Sequence, residues 1–182
     1  MLSVATLGGG CYWCLEAFYQ RVLGVDSVVS GYSGGHIDHP TPERVYQGDS
    51  GHAEAVQISF DAQVISYQEL LEIFYVMHDP TTLNRQGYDV GDEYRSVIFY
   101  HDDSQKKIAD SVTKNYASKL WHDPIVTQII KFEKFWPTDE SNQNFYNNNP
   151  NAGYCQIIID PKIQKLRQKF ASKLKPYDSK AQ

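Results

Sequence analysis

Apolar residues along this chain recur at two spacings, and the switches between them outline its elements. Leu2 to Leu7 reads as a short strand that enters the Gly8-Gly9-Gly10 turn. A helix follows, because Leu15, Phe18, Tyr19 and Val22 fall at i, i+3, i+4 and i+7. Val25 to Tyr32 reads as a second strand. The Gly/Pro/His-rich stretch from Ser33 to Ser50 is a loop, with one turn of helix after Thr41-Pro42, since proline suits a first helical position. His52 to Phe60 alternates like a strand. Ser66 with Glu69 three residues on forms a capping box that opens a helix running to about Met77. A long loop, Asp79 to Glu93, leads to the strand Tyr94 to Tyr100. Ser104 to Leu120 reads as a helix and Ile125 to Glu133 as a strand. Ser141 to Asn151 is an Asn-rich loop with a short helix in it. Cys155 to Ile159 reads as a strand, Asp160-Pro161 caps a last helix, and residues from about 172 to 182 are expected to fray.

The first six elements run β-α-β-β-α-β, the order of a ferredoxin-like, split βαβ unit. The expected fold class is α+β, a two-layer α/β sandwich on that core with further elements appended. Neither a repeat nor a linker interrupts the chain, so residues 1–182 are expected to form a single domain, a length that allows a sizeable core. Hydrophobic residues make up 41%, which argues against wholesale disorder. The net charge of −5 argues against nucleic acid, whose phosphates need a clustered positive surface. No apolar run approaches the ~18 residues of a membrane span, and no charged-then-apolar opening marks a signal peptide. Three cysteines, Cys11, Cys14 and Cys155, do not make a secreted disulfide framework. A reducing cytoplasm is the compartment this composition suggests.

In that setting a Cys-x-x-Cys pair is catalytic or metal-binding more often than structural. Cys11 lies where a strand has ended and a helix begins. Unpaired N–H groups and the helix dipole there favour an anion, so the thiol is expected to have a lowered pKa. Cys14 lies one helical turn on, within disulfide reach. The other reading is that both are small buried hydrophobes. Glu54 shares a strand face with Val56, Ile58 and Phe60, the apolar side, where desolvation would favour its protonated form. Alternatively it reaches solvent at the strand end or pairs with an arginine. The loop from Asn84 to Tyr94 brings hydroxyls and carboxylates close together, though a solvated turn would do the same. His52 with the three cysteines would make a Cys3His zinc site, but only Cys11 and Cys14 have ligand-like spacing.

Several blocks taken together are recognisable. Gly10-Cys11-Tyr12-Trp13-Cys14-x-Glu16 resembles the Gly-Cys-Phe-Trp-x-x-Glu signature of A-type peptide methionine-S-sulfoxide reductases. Gly31-Tyr32-Ser33-Gly34-Gly35, Gly48-Asp49-Ser50-Gly51-His52-Ala53-Glu54, and Asn84-Arg85-Gln86-Gly87-x-Asp89-x-Gly91-x-x-Tyr94-Arg95-Ser96 match later blocks in order, as do Asn149-Pro150 and Tyr154-Cys155. The similarity spans about residues 5 to 170. It implies that Cys11 attacks the sulfoxide sulfur, Glu54 protonates the sulfoxide oxygen and Tyr94 hydrogen-bonds it. Tyr12 and Trp13 would wall the pocket for the S-methyl group, and Asp89 would shape it. The resulting sulfenic acid on Cys11 condenses with a second thiol, and the disulfide is reduced by exchange. The implied electron donor is thioredoxin and the substrate is free or protein-bound methionine sulfoxide. No metal or organic cofactor is implied.

The chain departs from that pattern twice. Position 14, often glycine in the family, is Cys14, which offers a built-in resolving thiol. Cys155 is the alternative, disfavoured because it opens an apolar strand and is expected to be buried. Pro42 stands where many relatives carry a tyrosine, and Tyr46 or Tyr32 is left to supply the hydroxyl. The competing readings are a thioredoxin-like dithiol-disulfide oxidoreductase, which uses the same thiolate physics, and a non-catalytic zinc-binding module.

Overall fold

The computed structural model describes residues 1–176. Its strands are β1 (Ser3–Gly9), β2 (Val25–Ser33), β3 (Ala53–Phe60), β4 (Arg85–Gln86), β5 (Asp89–Val90), β6 (Ser96–Tyr100), β7 (Gln128–Lys131) and β8 (Phe135–Pro137). Its α-helices are α1 (Tyr12–Tyr19), α2 (Pro42–Tyr46), α3 (Tyr67–Met77), α4 (Asp103–Val112), α5 (Ser118–Leu120), α6 (Phe145–Asn148) and α7 (Asp160–Phe170). Six strands form one mixed sheet in the order β7-β6-β1-β3-β2-β8. Pairing is antiparallel except between β6 and β7. The fold class is α+β.

Alternation along the strands sorts the sheet into two faces. Leu7, Val56, Ile58, Phe60 and Ile98 join Leu15 and Phe18 of α1, Leu70, Leu71 and Phe74 of α3, and Ile163 and Leu166 of α7 in the main core. The opposite face carries a small cluster, Ala53, Ala55, Val97 and Phe99, covered by Ile130, Phe132 and Phe135. Helix α1 has apolar or aromatic residues almost all round, and every residue of it except Trp13 is buried. Such a helix has to be covered on both sides. It lies against the sheet on one side, while Phe145 of α6 packs on its Trp13.

The helix α3 starts as the sequence requires. The Ser66 hydroxyl accepts from the N–H of Glu69 at 3.1 Å, and the Glu69 carboxylate accepts from the N–H of Ser66 at 2.9 Å. Thr41 likewise caps α2, with Pro42 at the helix start. Strand β8 was not expected: it is three residues long, ends in proline and pairs at the sheet edge with Gly31–Ser33.

Two expectations are overturned. Cys155 to Ile159 is not a strand but a widened helical turn that runs directly into α7. Its apolar residues are spaced for a helix: Cys155, Ile159, Ile163 and Leu166 are buried, while Ile157 is 72% exposed. The β-branched run favours a strand locally, and packing on α1 and continuity with α7 override it. The wide turn falls just ahead of Pro161, which has no N–H to give to a regular helix. The C-terminal tail expected to fray from about residue 172 is instead tied to the loop after α1. The N–H of Leu23 donates to Lys173 and the N–H of Lys175 to Arg21. The rest of that expected tail, residues 177–182, lies outside the described residues. Strand β6 also begins later than Tyr94, which sits in a 3-10 turn, Asp92–Tyr94.

The capping box is remote from the thiols and offers a clean test of local folding logic. Ser66→Ala is expected to lower unfolding free energy by about 1 kcal/mol in denaturant titration, with catalytic rates unchanged.

Candidate active site

The site is built where β1 runs into α1. Gly10 takes φ of +100°, and a Cβ there would stand 2.6 Å from the Gln86 side chain. Glycine therefore lets β4 close over the turn. Cys11 follows as the N-cap residue of α1, in extended conformation with φ −60° and ψ 128°. The next N–H, that of Tyr12, is one of the unpaired donors of a helix start. It donates to the Glu54 carboxyl oxygen at 3.1 Å. The acid of β3 is thereby fastened to the residue that follows the thiol.

Glu54 is 1% exposed, so of its two sequence readings the core-facing one holds. Burial pushes its pKa up to about 8; the Tyr12 N–H opposes this, and the charges of Asp89, Glu93 and Cys14 add to it. The group is a carboxylic acid at neutral pH. Tyr94 brings its hydroxyl to the same neighbourhood. Burial raises it, as do charges at Glu54, Tyr46, Asp89 and Cys11. Tyr46, on the last turn of α2, sees Glu54, Tyr32 and Cys11 and stands beside the Tyr12 hydroxyl.

The thiols do not follow the dipole argument. Cys11 is raised well above an ordinary thiol, first by burial, then by its hydrogen bond with Cys14 and the charge of Glu54; the Trp13 N–H lowers it only in part. Cys14 moves the other way, to about 7. The hydrogen bond from Cys11 is the largest cause, burial opposes it, and Lys162 and the Tyr154 hydroxyl assist. An eight-residue helix whose first donor is already taken by Glu54 has little dipole left to spend on Cys11. Of the two hydrogen-bonded thiols, Cys14 is therefore the one held lower.

Cys155 is fully buried, as expected, and its thiol is raised by burial and by the charges of Asp160 and Cys14. All three cysteines are free thiols. Tyr154 links the elements: its hydroxyl donates to Asp89 Oδ2 at 2.8 Å and lies 3.7 Å from the Cys14 sulfur. Sequence reading took Tyr154 only as part of a motif, because the strand assigned next to it hid the helical turn that aims it at the thiols. A cavity of about 580 Å³ opens at Cys11 and Asp89, lined further by Tyr88, Tyr154, Ile157 and Lys162. Glu54, Tyr94, Tyr12 and Trp13 do not line it.

The two aromatic residues after Cys11 differ. Tyr12 is 1% exposed, and its hydroxyl bonds those of Tyr32 at 2.8 Å and Thr138 at 3.3 Å. Trp13 is only partly buried. Its ring stacks on Phe145 at 3.6 Å and its indole N–H donates to Asn142 at 3.1 Å. His52 is not available to a metal. Its Nδ1 accepts from the Gly35 N–H at 3.0 Å, and its Nε2 lies 2.7 Å from the Ile37 carbonyl.

A thiol at a helix start, a second thiol hydrogen-bonded to it and a buried acid fastened beside them are the components of a thiol redox enzyme. The family model described as peptide methionine sulfoxide reductase matches residues 3–174. A peptide methionine sulfoxide reductase MsrA of Sulfolobus acidocaldarius is 52% identical over 94% of this chain and 97% of its own. The MsrA of Leptospira borgpetersenii is 54% identical over 90% and 93%. Among solved structures, reduced Mxr1 of Saccharomyces cerevisiae superposes with a TM-score of 0.78 at 31% identity, covering 85% of this chain and 89% of that one. Mxr1 has also been solved in complex with Trx2, with a TM-score of 0.55 at 25% identity over 79% and 84%. The chain belongs to the peptide methionine sulfoxide reductase family. No helix among the described residues is long and apolar enough to cross a membrane.

Proposed function

We propose that this protein reduces methionine-S-sulfoxide, free or protein-bound, to methionine, with thioredoxin as electron donor. The observation that carries this reading is the neutral Glu54 acid bound to the N–H next to Cys11. A sulfoxide sulfur becomes electrophilic when its oxygen is protonated, and the reduction needs a thiolate and an acid at one point. Glu54 is that acid, Tyr94 a second donor to the oxygen, and Asp89 shapes the pocket through Tyr154. Trp13 stands behind Tyr154 of the cavity lining, whose ring it meets edge-on, and is the wall for the S-methyl group that the family likeness implies. Tyr12 serves less directly, since its hydroxyl is turned into the Tyr32–Thr138 cluster.

The Cys14 thiolate takes the proton of Cys11 through their hydrogen bond as Cys11 attacks the sulfur. The oxygen passes to Cys11 as a sulfenic acid and methionine leaves. The Cys14 thiol then attacks the Cys11 sulfur, forming a disulfide and releasing water. Cys14 is favoured as the resolving thiol because it meets Cys11 directly, whereas the charge felt by Cys155 is that of Cys14. Tyr46 replaces the hydroxyl missing at Pro42: the two positions are one helical turn apart, on the same side of α2. The order β6-β1-β3-β2 within the sheet supports reading the core as a split βαβ unit. One six-stranded sheet and one main core support a single catalytic domain. Three free thiols fit a cytoplasmic setting.

Reduced protein without added reductant is expected to form one methionine per chain from the S epimer and lose two thiols. Cys14→Ser should give the same single burst and then stall with thioredoxin present. Full turnover in that variant would assign resolution to Cys155, and no methionine from wild type would overturn the reductase reading. The rate should rise through about pH 7 as Cys14 ionises and fall through about pH 8 as Glu54 does. Glu54→Gln should remove the alkaline limb and slow methionine formation by roughly 10²–10⁴-fold. Tyr46→Phe should slow it by roughly tenfold, the effect of one lost hydrogen bond to developing charge. An unchanged rate would remove Tyr46 from the oxygen site. A thioredoxin lacking its second cysteine should be trapped as a mixed disulfide on Cys11, and capture on Cys14 would reverse the proposed entry point.

A further inference from the structure

Glu16 is a buried carboxylate that the chemistry above does not use. It is 2% exposed on α1, three residues after Trp13. Two backbone N–H groups and the Ser30 hydroxyl meet it rather than a cation. Its Oε1 accepts from the N–H of Phe145 at 3.3 Å, and the Asn144 N–H also faces it. Burial raises it to about 7 against those two donors and the Ser30 hydroxyl. The two N–H groups are the first donors of α6, whose N-cap residue Asn144 is left-handed, with φ of 51°, and gives its own helix no side-chain cap. A helix start without a cap leaves orphan N–H groups, and an acid is the favourable partner for them.

The segment held in this way makes the other contacts of the same helix face. Phe145 stacks flat on Trp13, with an interplanar angle of 5°, and Asn142 accepts the Trp13 indole N–H. Gln20 donates to Asn144 at 3.1 Å. Positions 13, 16 and 20 are one helical stripe. Trp13 stands at its end: Tyr154 meets its ring edge-on, while the segment from 142 to 147 supplies the stacked ring and the indole partner.

We infer that Glu16 is a positioning residue of the sulfoxide pocket: by capping α6 from a neighbouring helix it holds Phe145 against Trp13 and so fixes the pocket wall. The inference rests on the reductase reading for the use of that wall, and on hydrogen bonds and ring stacking alone for its construction. Glu16 touches neither the thiols nor the oxygen site. Its loss therefore acts on how the substrate methyl group is received rather than on proton transfer.

The test is a cycle of Glu16→Ala, Phe145→Ala and the double variant, assayed with methionine-S-sulfoxide and thioredoxin. Glu16→Ala is expected to raise KM on the order of tenfold while kcat stays within about threefold. Phe145→Ala should do the same, and the double variant should be no worse than either, because both remove one coupled contact. Glu16→Gln keeps one acceptor and should recover part of the loss. It also takes the place of Glu16→Ala in the cycle if the alanine variant does not fold. Near-ultraviolet circular dichroism gives a readout independent of turnover: the band that Trp13→Phe removes should also be lost in Glu16→Ala. A fall in kcat at unchanged KM, effects that multiply in the double variant, or an intact Trp13 band would each overturn the inference. Absence of sulfoxide reduction in the wild type would instead overturn the reductase reading and leave the spectroscopic test standing.

Discussion

One hydrogen bond organises the catalytic end of this molecule: the N–H of Tyr12 to the carboxyl of Glu54. It joins the first turn of α1 to the middle of the sheet and satisfies a donor that a helix start leaves open. It also decides the chemistry of both partners. A buried acid with a single backbone donor and three nearby negative charges stays protonated at neutral pH. The same bond removes from Cys11 one of the dipoles that would have favoured a thiolate. Acid strength at Glu54 and nucleophile strength at Cys11 are therefore set against each other by one contact.

The thiol pair resolves that conflict. A buried Cys11 beside an acid is held high, and its hydrogen-bonded partner Cys14 is held lower, with help from Lys162 and Tyr154. In the proposed cycle, the hydrogen bond between the two sulfurs gives Cys11 an adjacent base without a histidine. Of the nearby imidazoles, that of His52 is occupied by backbone partners. His78 is held between the Phe74 carbonyl and the Ser96 hydroxyl, buried and lowered to about 4. Neither reaches the thiols.

Sequence periodicity located most of this architecture. The capping box at Ser66, the turn before Cys11 and the core-facing register of Glu54 could be read from residue spacing because each is a local matter. Three things could not be read. The Cys155–Ile159 turn has a strand-like composition, and its burial against α1 ahead of α7 makes it helical. The pKa order of the two thiols depends on how deeply α1 is buried, which no window of residues reveals. Tyr154 and Glu16 owe their places to partners 65 and 129 positions away in the chain. A local pattern carries no trace of such distances, although both residues sat in plain view within recognised motifs.

The unequal exposure of the thiols gives the return half of the cycle its direction. In the proposed Cys11–Cys14 disulfide the less buried residue is Cys11, since Cys14 and Cys155 are 2% and 0% exposed against 9% for Cys11. A dithiol donor has to attack where it can approach, and exchange is faster when the departing thiol has the lower pKa. Both conditions select the same bond polarity: attack on Cys11 and departure of Cys14. The groups that help to hold Cys14 lower, Lys162 and the Tyr154 hydroxyl, are then the groups that stabilise it as it leaves. Tyr154 is bound to Asp89 at the same time, so the loop that shapes the substrate side and the helix that carries Cys155 meet on the leaving sulfur. The arrangement that makes Cys11 a poor thiolate at rest makes it the electrophilic end of the disulfide later. One electrostatic asymmetry thus serves both half-reactions.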